Sequence, residues 1–322
     1  MAILIAAILV AGSGYWVFQR IAQNLQAERG GPGQTPIAVI ESTPSPSGAL
    51  LTPSASATST PSAKPSPSPA HAPAPAPSGP SHVFVIVMEN RSASDAISGH
   101  YTSQLAARYA YASNYRGVSH PSLPNYLAMT SGSTWGIADD GYHKLPAGGL
   151  GNQLTRAGIS WRAYMDGMSN GCFNSAYPYA LKHNPFAYYG GACPSQVVSF
   201  SRFSQDMAGS VPRFVWITPD MCHDGHDCST ATADAWLAKT VPMILATSAW
   251  KQGGVLFVTW DEGEDSANSV LTIAIRPNGV HRVSARAYNH YDLLATVESQ
   301  LGLGRLGAAA NAAPMSDLMA VR

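Results

Sequence analysis

Three stretches constrain the fold of this chain more than any others: Val83–Met88 (VFVIVM), residues 213–218 (RFVWIT) and residues 254–260 (GVLFVTW). Each is a short, nearly continuous apolar run rich in β-branched and aromatic residues, the pattern of a strand buried on both faces of a parallel sheet. Each runs directly into acidic residues: Glu89-Asn90-Arg91, Pro219-Asp220 and Asp261-Glu262. Further strand patterns lie at 159–165 and 270–276. Helical patterns lie at 102–111, 124–130, 148–158 and 291–301, and at 229–240, where Pro242 kinks or ends the helix. Strands alternating with helices predict an α/β fold, three-layered, with a mostly parallel central sheet. Ligands bind such sheets at the carboxyl ends of the strands, so several acidic ends on one edge make a candidate cation site.

The stretch Ser119-His120-Pro121-Ser122-Leu123-Pro124-Asn125-Tyr126 supplies a hydroxyl for that edge. A Pro in the first turn is tolerated because its missing N–H would be unpaired there anyway. Ser122 then lies at a helix N-terminus, where free N–H groups and the helix dipole favour an anion such as phosphate. A plain N-cap serine is the competing reading. Glu89, Asn90, Asp261 and Glu262 form one hard-oxygen ligand group. Asp220, His223, Asp224, His226 and His290 form a second group of mixed oxygen and nitrogen donors. These sets suit one or two divalent metal ions, with Zn, Mn, Ca and Mg all compatible. A cation beside Ser122 would lower its hydroxyl pKa and offset charge on a phosphoryl group. His120, Asn125 and Arg91 are candidates to hold the non-bridging oxygens. Ser122 lacks the G-x-S-x-G elbow, which weighs against a Ser-His-Asp hydrolase.

Only 12% of the 322 residues are charged and the formal net charge is zero, which argues against nucleic acid as the partner. Residues 1–30 carry an apolar run, read as a signal peptide core or a short membrane anchor, although no Lys or Arg precedes it. Residues 31–81 are rich in Pro, Ser and Ala and are expected to form a disordered, extended stalk. Residues 82–305 form the catalytic domain, and 306–322 are expected to be a weakly ordered tail. The cysteines are Cys172, Cys193, Cys222 and Cys228. An even number in an exported chain implies two disulfides, with the local pairs Cys172–Cys193 and Cys222–Cys228 favoured. A zinc knuckle built on Cys222, His223, His226 and Cys228 is the competitor. These features place the chain outside the cytoplasm, secreted or held at the membrane by its N-terminus. Residues 166–212, rich in Gly, Asn, Tyr and Pro, are read as an insertion or site-forming loop.

Taken in order, MENRSASD, SHPSLPNYLAMTSG, PDMCHDGHDCS, TWDEGE and YNHYDLL resemble the bacterial phosphoesterase family of acid phosphatases and nonspecific phospholipases C. That family lies within the alkaline phosphatase-like superfamily. The resemblance implies metal-dependent hydrolysis of phosphate esters with Ser122 as nucleophile and Glu89, Asn90, Asp261 and Glu262 as metal-site residues. It also implies Asp220, Asp224 and His290 at a second metal position, with His223 and His226 nearby. Two departures, ENRSASD without the aromatic of the phospholipases and the missing large C-terminal extension, lean towards a compact phosphomonoesterase. The alternatives are a phosphodiesterase acting on a phospholipid headgroup and, from another class, a non-catalytic envelope-binding module. Glu262 stands where two-zinc phosphatases have His, and Tyr126 where sulfatases need Arg. The tyrosine at 126 argues against sulfate esters.

Overall fold

The computed structural model describes residues 82–321. The apolar run of residues 1–30 and the Pro-rich stretch of 31–81 lie outside them. The strands are β1 Val83–Met88, β2 Ala110–Arg116, β3 Trp161–Met165, β4 Val197–Ser199, β5 Phe214–Thr218, β6 Val255–Trp260, β7 Ser269–Ile275, β8 Arg282–Ser284 and β9 Tyr288–Asn289. The helices are α1 Ala93–Ile97, α2 His100–Arg108, α3 Ser122–Ser131, α4 Gly149–Arg156, α5 Gly171–Asn174, α6 Phe203–Ala208, α7 Thr230–Ala246, α8 Ser248–Lys251 and α9 His290–Leu301.

One sheet runs in the order β4-β3-β5-β1-β6-β7-β2-β8, with β9 also paired to β2. Pairing is parallel from β4 through β6 and again between β2 and β8 or β9, so β7 alone runs against the rest. The three apolar runs form β1, β5 and β6 at the centre. Every residue of all three is buried, as their lack of polar alternation requires. Register then places the acids. Met88 pairs with Trp260, so Glu89 and Asp261 leave adjacent strands at the same edge.

Helix α3 is buried along its whole length, and α9 packs beside it. It ends at Gly132, whose φ of 69° favours glycine and where a Cβ would meet the Leu306 carbonyl. The Ala308 N–H donates to the Gly132 carbonyl at 2.8 Å. This docking corrects one expectation: residues 306–321 are not a loose tail but two 3₁₀ turns that bury Ala309, Met315 and Leu318. Two further differences are local. Residues 110–116 form β2 rather than extending a helix, because alternate residues Ala110, Ala112 and, past a bulge, Tyr115 point into the core. Helix α7 continues through Pro242 to Ala246, carried by Val241 and Ile244, both fully buried. Among the described residues, no helix is long and apolar enough to cross a membrane.

Candidate active site

Glu89 follows β1 and is fully buried. Its Oε2 accepts a hydrogen bond from Ser122 Oγ at 3.0 Å. Ser122 occupies the first turn of α3 and is itself 1% exposed, so the hydroxyl meets the acid at a helix N-terminus. Asp261, following β6, lies on the other side of Glu89. Its Oδ1 accepts from the Asn90 backbone N–H at 3.2 Å, across a turn that Asn90 makes with φ of 47°. Glu262 pairs with His120 Nδ1 at 2.6 Å. The His120 side chain is 56% exposed, so its ring reaches the mouth of the site.

A residue that sequence reasoning missed completes the cluster. His183 sits in a 3₁₀ turn, Leu181–His183, inside the irregular stretch, and its ring stacks on Tyr126 at 5.2 Å. Its Nε2 lies 3.0 Å from Glu89 Oε1 and its Nδ1 3.3 Å from Asp224 Oδ2. Neither contact has hydrogen-bond geometry. Glu89 Oε1, both His183 nitrogens, Asp224 Oδ2 and Asp261 Oδ2 are buried with no partner. Burial drives the His183 pKa well below the ordinary value, so its ring is neutral and carries one N–H between two carboxyls. The acids respond in the opposite sense. Burial, then the charge of Asp261, raises Glu89 strongly, and burial raises Asp224 strongly. Asp261 is pushed up to about 7 by burial and the charge of Glu262, and Glu262 to about 7 by burial and Asp140.

Orphaned buried polar atoms are costly, and native structures carry few of them. Here three carboxyl oxygens and an imidazole without partners have the donor chemistry of a divalent-cation site, although their ligand atoms do not all lie within 4.8 Å of one another. The residues therefore fit the metal that the acidic strand ends anticipate. A second group, Asp166, Asp220 and His223, brings its ligand atoms within 4.8 Å of one another. That group is already self-satisfied, with His223 Nδ1 2.9 Å from Asp166 Oδ2 and 3.1 Å from Asp220 Oδ2. The group around Glu89 is the more widely spaced of the two, but it keeps buried donor atoms without hydrogen-bond partners.

Other expected ligands are engaged elsewhere. Asn125 is fully buried, accepts from the Val118 and Ser119 N–H groups and donates to the Ser119 and Pro121 carbonyls, so its amide builds the loop instead of facing substrate. Arg91 donates to the Asn90 and Cys228 carbonyls and to Thr230 Oγ1, bracing the segment that carries Asp224. His290 has both nitrogens occupied, Nε2 on the Asp261 carbonyl at 2.5 Å and Nδ1 on the Tyr115 hydroxyl at 3.1 Å. It holds the Asp261 backbone rather than presenting a ligand, and burial lowers its pKa to about 4. His226 Nδ1 lies 2.8 Å from Asp227 and its Nε2 3.3 Å from Lys182 Nζ. Asp224 and His226 lie within the loop closed by the Cys222–Cys228 disulfide, and Cys172–Cys193 closes the other local loop. Both pairings are those expected, and they exclude the zinc knuckle.

A parallel-centred sheet with a serine hydroxyl and acids at its carboxyl edge is the arrangement of an alkaline phosphatase-like fold, and solved structures agree. A Vibrio parahaemolyticus protein of the alkaline phosphatase superfamily matches with a TM-score of 0.57 at 10% identity, over 75% of this chain and 71% of its own. Murine ectonucleotide pyrophosphatase/phosphodiesterase 5 matches at 0.53 and 10% identity, over 70% and 96%. The Phosphoesterase family model matches residues 99–304, and the chain belongs to that family. It is 34% identical to the phosphatidylinositol-3-phosphatase of Mycobacterium tuberculosis over 257 residues, 74% of this chain and 82% of the relative. It is 28% identical to the phosphate-repressible acid phosphatase of Penicillium chrysogenum over 69% of this chain, spanning 59% of that relative's length. The protein is thus a hydrolase of phosphate esters.

Proposed function

We propose that this chain is an exported phosphomonoesterase that works through a phosphoseryl intermediate on Ser122. The observation that carries the reading is the hydrogen bond from Ser122 Oγ to buried Glu89, made at a helix N-terminus beside carboxyl oxygens without partners. Ser122 Oγ attacks phosphorus, and the bond from phosphorus to the ester oxygen breaks. The hydroxyl proton has Glu89 Oε2 as its acceptor. His120, anchored through Nδ1 on Glu262 and exposed at the mouth, is placed to protonate the departing alkoxide. Water then attacks phosphorus, the bond to Ser122 breaks, and inorganic phosphate leaves. Glu89, Asp261, Asp224 and His183 would hold a divalent cation, which would supply positive charge against the serine alkoxide and the phosphoryl oxygens. Export is supported by the two disulfides, which persist in oxidising compartments.

The test is Ser122→Ala, assayed on a phosphomonoester at saturating metal, with acid trapping of the wild type for phosphopeptide mapping. Turnover should fall at least about a hundredfold, and phosphate should map to Ser122. A variant that turns over near the wild-type rate would make Ser122 a cap and the nucleophile a water.

A further inference from the structure

The amide next to the nucleophile is already taken. Asp140, in the exposed segment 133–144, accepts a hydrogen bond from the Leu123 N–H through Oδ1 at 3.0 Å. Its other oxygen accepts from Lys182 Nζ at 2.9 Å. One carboxylate thus spans a first-turn amide of α3 and the ammonium that faces the acids. Next to this bridge Ser122 is 1% exposed, and Glu89 Oε1 and Asp261 Oδ2 are buried without hydrogen-bond partners. Segment 133–144 lies over this region with little of its own buried: Trp135, Asp139 and Tyr142 are exposed, and Ile137 packs on the small apolar cluster of Leu123, Leu127, Leu145, Tyr188 and Tyr189.

A backbone N–H beside the nucleophile and a nearby ammonium are the two donors a phosphoryl group needs at a helix N-terminus. The two oxygens of a carboxylate are spaced much like two oxygens of a phosphate. We propose that Asp140 is an internal stand-in for the phosphoryl group: a phosphate monoester displaces it, and Lys182 and the Leu123 amide then bind two non-bridging oxygens. Lys182 becomes a substrate-binding residue, and Asp140 a competitor that keeps the site closed until an anion arrives. The proposal rests on the phosphomonoesterase reading above.

The experiment measures inorganic phosphate binding to the full-length, metal-loaded protein by calorimetry, for wild type, Asp140→Asn, Lys182→Gln and the double variant. Asparagine still accepts from the Leu123 N–H but releases the ammonium. Asp140→Asn should therefore bind phosphate about tenfold more tightly, the scale of one charge-assisted contact. Lys182→Gln should bind at least about tenfold more weakly, and the double variant should lose the gain. In the wild type, hydrogen exchange across 133–144 should rise when phosphate binds, which needs no substitution to fold. Unchanged or weaker phosphate binding by Asp140→Asn, or slower exchange in that segment on binding, would make Asp140 a cap and overturn the proposal. No phosphate binding by any form, together with full turnover by Ser122→Ala, would instead overturn the underlying reading of the site.

Discussion

Replacing His183 with Phe separates what the imidazole packs from what it coordinates. Phenylalanine keeps an aromatic ring against Tyr126, at a site that is 1% exposed, and removes both nitrogens from Glu89 and Asp224. Neither nitrogen makes a hydrogen bond, so in the absence of added metal their loss alone should cost little. The ring is somewhat larger, and overpacking costs about 1–3 kcal/mol. The effect on cation binding should be larger and distinct. Losing a ligand, or the group that orients the acids, typically costs 10–100-fold in metal affinity, or about 1.4–2.7 kcal/mol. In a domain of this size each kcal/mol moves Tm by about 2–4 °C. The rise in Tm on adding saturating Mn²⁺ should therefore shrink by about 3–10 °C. The pH dependence checks the same reasoning. The folded pKa values of Glu89 and Asp224 are already raised by burial. A raised carboxyl pKa means the folded state binds more protons, so stability falls as pH rises through the window between the unfolded and folded values. Those shifts come from burial and neighbouring acids, so without added metal the variant should keep the wild-type fall in stability as pH rises. Calorimetric titration with Mn²⁺ and melts with and without it supply both readouts. Wild-type Mn²⁺ affinity in His183→Phe would refute the assignment and leave the ring a packing residue.

Asn125→Ala should cost about 2–4 kcal/mol, because the buried amide serves two N–H groups and two carbonyls of the loop that carries His120. Denaturant melts should register that loss, and a drop below about 1 kcal/mol would show that water replaces the amide. Glu298→Gln should flatten the wild-type slope of stability between about pH 4.5 and 7. Burial pushes the Glu298 pKa up from 4.5 to about 7, so its ionisation destabilises the fold as pH rises through that window. Melts of both proteins from pH 4.5 to 8 should converge at the acid end, and parallel curves would contradict the shift.

The sheet and the residues at its edge were legible in the sequence because their cause is local. A run such as Val83–Met88 has no polar face, so it must lie between two layers, and the residue after it must emerge at the edge. Glu89 and Asp261 are then brought together by a register that any parallel pairing of β1 and β6 would impose. Ser122 was legible for a similar reason, since a helix start is written in a few adjacent residues. The misassigned residues share another cause. Asn125, Arg91 and His290 have the right chemistry for phosphate or metal, but residue type says only what a side chain can bind, not which group claims it first. Each is claimed by a backbone carbonyl or amide held close by the chain's own turns. His183 failed in the opposite direction. It lies in a stretch without periodicity, and its partners Glu89 and Asp224 are distant in sequence, so no local pattern marks it. Its signal is three-dimensional: a neutral ring between carboxyls that all lack hydrogen-bond partners. The Leu123 N–H and Lys182 Nζ show the complement, donors hidden because Asp140 already satisfies them. The same accounting of buried polar atoms reads both, since an unfilled acceptor marks where a cation belongs and an internally filled donor marks where a substrate anion must compete.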